Sequence, residues 1–67
     1  MSVAKVSEIS ATSTVGFEDA ITQGIARANK TLRKVKSAWI KEQQVRVSNE
    51  VITEYQVNMM VTFVIDD

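Results

Sequence analysis

The sequence predicts an α+β fold of order β-α-β-β, a three-stranded antiparallel sheet wrapped around one helix, in a single domain over residues 1–67. Three observations predict it. Residues 51–65 read V-I-T-E-Y-Q-V-N-M-M-V-T-F-V-I, without proline or glycine and rich in β-branched and aromatic residues, which favours a long strand. Residues 17–34 carry a single apolar stripe at three- and four-residue steps, the mark of a helix lying on a core. Residues 38–47 form a second strand-like stretch, separated from the long one only by Ser48-Asn49-Glu50.

The first element, residues 3–11, reads V-A-K-V-S-E-I-S-A. Its alternation is imperfect, with Val3, Lys5, Ser7 and Ile9 on one face and Ala4, Val6, Glu8 and Ser10 on the other. Its valines and isoleucine, followed by the polar Thr12-Ser13-Thr14, make it a strand. In the helix, Phe17, Ala20, Ile21, Gly24, Ile25, Ala28, Leu32 and Val35 draw the stripe. Glu18 and Asp19 in the first turn and Lys30, Arg33 and Lys34 in the last complement the helix dipole. Gly16 is the candidate N-cap, with Thr14 competing. Gly24 and Ala28 leave shallow places on the stripe, suited to close approach by a sheet.

The register of the second and third strands depends on the loop between them. A two-residue loop pairs residues of opposite parity, so Trp39, Lys41, Gln43 and Val45 share a face with Ile52, Glu54, Gln56 and Asn58. Ala38 and Ile40 then join Tyr55, Val57 and Met59 over the helix. A three-residue loop turns Trp39 into the core and Ile40 out. Parity alone leaves both open. In the long strand, Val51, Tyr55, Val57, Met59, Val61, Phe63 and Ile65 form the core face, interrupted by Thr53. The opposite face mixes polar and apolar groups, too polar for a core and too apolar for plain solvent surface.

Length and composition bound the function. A 67-residue chain with neither cysteine nor histidine has no disulfide and no obvious transition-metal site to support a small core. A 15-residue strand extends about 50 Å, whereas a compact domain of this size has a diameter near 28 Å, roughly. The strand therefore curves strongly or overhangs its own subunit, and an overhanging strand invites another copy. Eight basic and eight acidic residues balance, so no global charge draws the chain to nucleic acid. No apolar run reaches the ~20 residues of a membrane span and the N-terminus lacks a signal pattern, so a cytoplasmic protein is expected.

Catalysis is poorly supported: there is no glycine-rich phosphate loop and no nucleophile with an evident base. Glu8, Glu42, Glu50, Glu54, Asp66 and Asp67 read as solvating carboxylates, and the basic run over residues 30–36 as a solvated helix end. Trp39 stands apart. It is the only tryptophan and lies among Lys41, Glu42, Gln43 and Gln44, either buried in an interface or serving as a stacking platform for a planar ligand. One indole covers one ligand face, so a clamp needs a second copy. Gln56, whose amide has one acceptor and two donors, suits a ring edge that shows a donor beside an acceptor.

G-F-E-D-A-I opening the helix, R-A-N-K-T-L closing it, A-W-I-K-E-Q in the second strand and Y-Q-V-N-M-M-V-T-F in the third occur in an order and spacing that resemble the dodecins, small flavin-binding proteins of bacteria and archaea. The resemblance covers nearly the whole chain. It implies the β-α-β-β fold, a hollow homododecamer, and flavins stored in pairs between symmetry-related tryptophans. By it, Trp39 matches the stacking tryptophan and Gln56 the glutamine that bonds the pyrimidine-like edge of the flavin, which favours the two-residue loop. Arg46 resembles a basic residue near the phosphate in members that hold FMN. Regular parity puts it on the face opposite Trp39, so it reaches the site only from a neighbouring subunit or across a bulge. Departures are Gly16 where a serine is common, Ser48-Asn49-Glu50 for an Asp-Gly type of turn, and Val64 where some members carry an arginine linked to coenzyme A.

The expected function is flavin storage by a non-enzymatic, self-associating protein holding FMN, with riboflavin or FAD as alternatives, and with no nucleic-acid or membrane partner. A structural assembly protein without flavin is the alternative, and a flavin-dependent reductase ranks lowest.

Overall fold

A computed structural model describes residues 3–32 and 34–65; Arg33, Asp66 and Asp67, named above, lie outside them. Strand β1 spans Val3–Ser13, helix α1 Phe17–Thr31, strand β2 Val35–Ser48 and strand β3 Val51–Ile65. The sheet is antiparallel with spatial order β1-β3-β2, so the long strand is the central one. Both of its backbone edges are thereby satisfied, and the exposed edges fall on β1 and β2.

One face of β3 makes the core. Val57, Met59 and Val61 are fully buried against Ala20, with Ile9, Ala11, Phe17, Ile21 and Ile25 closing around them. Each fully buried side chain of this size contributes about 1.5–3 kcal/mol. The helix comes close because Gly24 lacks a side chain: a Cβ there would sit 2.6 Å from Met59 Cε and 3.1 Å from Ala11 Cβ. Phe17 meets Tyr55 edge-on, ring centroids 5.2 Å apart, and anchors the start of the helix to β3.

The helix ends at Thr31, three residues before the expected boundary. Leu32 has extended backbone at φ −108°, and Lys34 takes φ 59° to reverse the chain. Leu32 and Val35 still pack on the core, from outside the helix. The stripe was continuous because burial continued while the backbone changed, and apolar spacing cannot separate the two. Of the described basic residues expected in the last turn, Lys30 lies there and Lys34 does not. Strand β2 begins at Val35 instead of Ala38, and β1 runs on to Ser13, beyond Ala11.

Gly16 caps the helix without a side chain, its carbonyl accepting from Ala20 N at 3.1 Å. Ser13 organises the entry. Its hydroxyl donates to Asp19 Oδ2 at 2.6 Å and accepts from the backbone N–H of Val15 at 2.9 Å.

The turn is the two-residue form, Asn49-Glu50, with Ser48 opposite Val51. Both turn residues have positive φ, 50° and 65°, as a type I′ hairpin requires. The hairpin extends past the helix. Residues 36–48 are exposed along their whole length, and the molecule measures 52 × 19 × 14 Å. Its radius of gyration is 13.8 Å, against about 11 Å for a compact chain of this length. Its accessible surface is 4976 Å², against roughly 4,200 Å² for a compact monomer of this mass. Val45, Val47, Val51 and Ile52 lie exposed on the arm. Among the described residues no helix is long and apolar enough to cross a membrane.

Candidate functional site

The sheet face turned away from α1 carries the candidate site. On β3 this face presents Gln56, Asn58 and Met60; β1 sets Thr12, Ser10 and Glu8 beside them in turn. From the other side β2 brings Trp39 opposite Met60 and Ile40 opposite Met59. Met59 is buried under the helix, so Ile40 belongs to the helix side and Trp39 to the open one. Trp39 and Gln56 therefore share a face, while Ile40 and Tyr55 share the other.

Regular parity fails one residue later. The pairing jumps between Ile40 and Glu42, so Lys41 is the extra residue of a β-bulge. Beyond it Glu42 lies opposite Asn58, Gln44 opposite Gln56 and Arg46 opposite Glu54. The placing of Gln43 and Val45 beside Gln56 is thus corrected: they stand opposite Val57 and Tyr55, on the helix side. For Arg46 it is the second of the two routes that holds: the bulge brings it onto the Gln56 face of its own chain. A second irregularity, between Arg46 and Val47, restores opposite parity at the turn, and there Thr53 Oγ1 donates to the Arg46 carbonyl at 3.3 Å.

Gln56 is the centre of the polar row. Its Oε1 accepts from Arg46 Nη2 at 3.2 Å and from Gln44 Nε2 at 3.3 Å. Its Nε2 donates to Ser10 Oγ at 2.9 Å and to Asn58 Oδ1 at 3.4 Å. Asn58 Nδ2 in turn donates to Glu42 Oε1 at 2.9 Å. Arg46 Nε faces Glu54 Oε1 at 3.5 Å, and Lys41 Nζ crosses the sheet to Glu8 Oε2 at 3.3 Å. Three of the carboxylates read as plain solvating groups thus have side-chain partners on this face. Ser10, Glu42, Gln44 and Asn58 were not singled out from the sequence. The signal for Asn58 was present in the polar character of alternate β3 positions; for Glu42 and Gln44 the bulge hid it.

Trp39 is 51% exposed. Met60, its cross-strand partner, lies four residues along β3 from Gln56, about 13 Å at strand rise. A groove of about 490 Å³ lies elsewhere, between β1 and α1, with Ile9, Gly24, Arg27 and Leu32 in its wall. The Trp39–Gln56 face is open surface in one protomer, so a planar ligand lying on it would be covered only by a second copy. Among the described residues no cluster of acidic side chains could hold a metal ion.

Comparisons with known proteins agree with this fold. The dodecin family model matches residues 3–66. The structure of a dodecin from Streptomyces davaonensis superposes with a TM-score of 0.94 at 32% identity, covering 98% of this chain and 97% of that one. An arginine-to-alanine mutant of the Thermus thermophilus dodecin superposes with a TM-score of 0.94 at 36% identity over the full length of both chains. The dodecin of Streptomyces coelicolor, at 23% identity, shares the fold with a TM-score of 0.93, covering 98% of this chain and 94% of that one. A search of curated protein sequences returns no match. Family and fold together support a flavin-binding protein of the dodecamer type. The chain belongs to the dodecin family, whose members are flavin-binding storage proteins and not enzymes.

Proposed function

We propose that this protein stores FMN, with riboflavin or FAD as alternative guests, in pairs between Trp39 side chains of symmetry-related copies in a hollow homododecamer, with the cytoplasm as its location. The observation that carries the reading is the pairing, on one uncovered sheet face, of a half-exposed indole with a glutamine amide at the centre of a polar row. Trp39 supplies a flat, electron-rich surface on which an electron-poor fused ring stacks. Stacking there quenches the excited flavin and withholds it from side reactions.

Gln56 supplies the edge contact. An amide oxygen accepts from an imide N–H while the amide nitrogen donates to the neighbouring carbonyl. Both amide atoms already have partners in the protomer, so the ring edge replaces neutral ones, which water then satisfies. The overhanging hairpin and its exposed valines and isoleucines support the assembly. They also support the competing reading, a shell whose only product is itself.

Trp39→Ala separates the two. For storage, the variant keeps its particle size by light scattering, loses flavin affinity by about tenfold or more, and leaves residual flavin fluorescent. The expected loss exceeds the roughly 0.5–1.5 kcal/mol of one aromatic pair beyond area burial, because each stored pair loses an indole at both ends. A variant that binds FMN normally while its particles fall apart overturns the storage reading.

A further inference from the structure

The polar row on the site face has a direction. Arg46 donates to Gln56, Gln56 to Asn58, and Asn58 to Glu42. The two amides in the middle could each point either way, because an amide carries donor and acceptor at one end. The groups at the ends cannot. A guanidinium only donates and a carboxylate only accepts. If the Gln56 amide were reversed, its Nε2 would face the Arg46 Nη2, donor against donor. Its oxygen would face Asn58 Oδ1, which is itself fixed because Asn58 Nδ2 donates to Glu42. Both ends of the row therefore demand the same orientation, and the Arg46 end is steadied by Glu54 at 3.5 Å.

We propose that Arg46 is a positioning residue that sets the orientation of the Gln56 amide, and that this orientation selects ligands whose ring edge is an imide, an N–H beside a carbonyl. The inference rests on the flavin reading above and assigns Arg46 a role independent of any phosphate. Oε1 and Nε2 each hold a full set of hydrogen-bond partners in the protomer. Gln44 on the oxygen, and Ser10 and Asn58 on the nitrogen, are neutral; Gln44 and Ser10 yield to a ring edge, while Asn58, held by Glu42, keeps the nitrogen's direction. Arg46 stays, because its bond is charge-assisted. A ligand with the imide nitrogen methylated presents no donor to Oε1 and is refused.

The test uses the assembled full-length protein and four probes titrated by fluorescence: FMN, riboflavin, lumiflavin and N3-methyl-lumiflavin. Arg46→Met should weaken FMN, riboflavin and lumiflavin by one common factor, about two- to tenfold. It should lower the preference for lumiflavin over its N3-methyl derivative by that same factor. Arg46→Lys, which still only donates, should restore most of both. In a Gln56→Ala background, Arg46→Met should change nothing further. A loss confined to FMN makes Arg46 a phosphate contact and overturns the inference, leaving the flavin reading intact. An unchanged lumiflavin preference, or a full effect of Arg46→Met without Gln56, overturns it as well. Wild-type protein that binds none of the four probes overturns the flavin reading itself.

Discussion

Replacing Gln56 by glutamate changes one atom of the site's central side chain from a donor to an acceptor and should show which way the site reads its ligand. In the protein, Gln56 Oε1 faces Arg46 Nη2 at 3.2 Å, so a carboxylate oxygen there is welcome and the fold has no reason to suffer. The other atom is the problem. Where Nε2 now donates to Ser10 and Asn58, Gln56→Glu would set a carboxylate oxygen beside Asn58 Oδ1 and beside the carbonyl of any bound imide. An unpaired group in such a place costs about 1–3 kcal/mol, or roughly 5- to 150-fold in affinity. The loss should exceed that of Gln56→Ala, which removes the donor without adding repulsion. It should also depend on pH. Binding favours the protonated acid, which can donate, so affinity recovers as pH falls through the ordinary glutamate range, about 4.3. Neighbouring Arg46 favours the ionised form and holds the recovery to the acid side. Fluorescence titration with riboflavin from pH 8 down to the lowest pH at which wild type still binds, with wild type measured at each pH, gives the comparison. Gln56→Glu binding as tightly as wild type at pH 7 would refute the assignment of Gln56 Nε2 as a donor to the ligand.

Two further predictions concern the scaffold. Gly24→Ala should destabilise by about 1–2 kcal/mol, because crowding against buried Met59 and Ala11 outweighs the ~1 kcal/mol gain in helix propensity; adding Met59→Leu, which removes the nearest methyl, should recover part of the loss in denaturant titrations at fixed protomer concentration. Glu50→Gly should stabilise by about 0.5–1 kcal/mol, since φ 65° suits glycine, and an unchanged denaturation midpoint would count against strain at the turn.

The parts legible in the sequence were those governed by local periodicity. The long strand ends where its apolar-rich composition ends, and its core face was readable because Val57, Met59 and Val61 alternate without interruption. The closeness of helix and sheet was readable from Gly24 and Ala28. The resemblance to dodecins favoured the two-residue turn, and Asn49-Glu50 forms it. The face of Arg46 was not legible. A bulge adds one residue without changing composition, and nothing about Lys41 distinguishes it from a regular strand position. Parity counted from the turn therefore gave Trp39 the right face only because two irregularities cancel between Ser48 and Ile40. The helix end was missed for a related reason: Leu32 and Val35 remain partners of the core after the backbone has left the helix.

The division of the sheet into two faces also decides how storage and assembly depend on each other. The fold of the protomer is held on the helix side, where Val57, Met59 and Val61 meet Ala20, and no candidate site residue takes part in that core. Substitutions on the open face therefore leave the protomer's own packing alone. On the function proposed above, another copy completes the open face, because a single indole and a single amide row cover one side of a planar guest. A guest held in that way binds the assembled state and has little affinity for a lone protomer. By mass action it stabilises the assembly, by about 2.7 kcal/mol per site at one hundred times its dissociation constant. Flavin should thus raise the midpoint of thermal dissociation of the particle in proportion to the logarithm of its concentration. The same flavin should leave a Trp39→Ala particle nearly unchanged. An assembly whose midpoint ignores flavin in both forms would place the guest outside the contacts between copies, and the clamp would have to be abandoned even if the protein bound flavin.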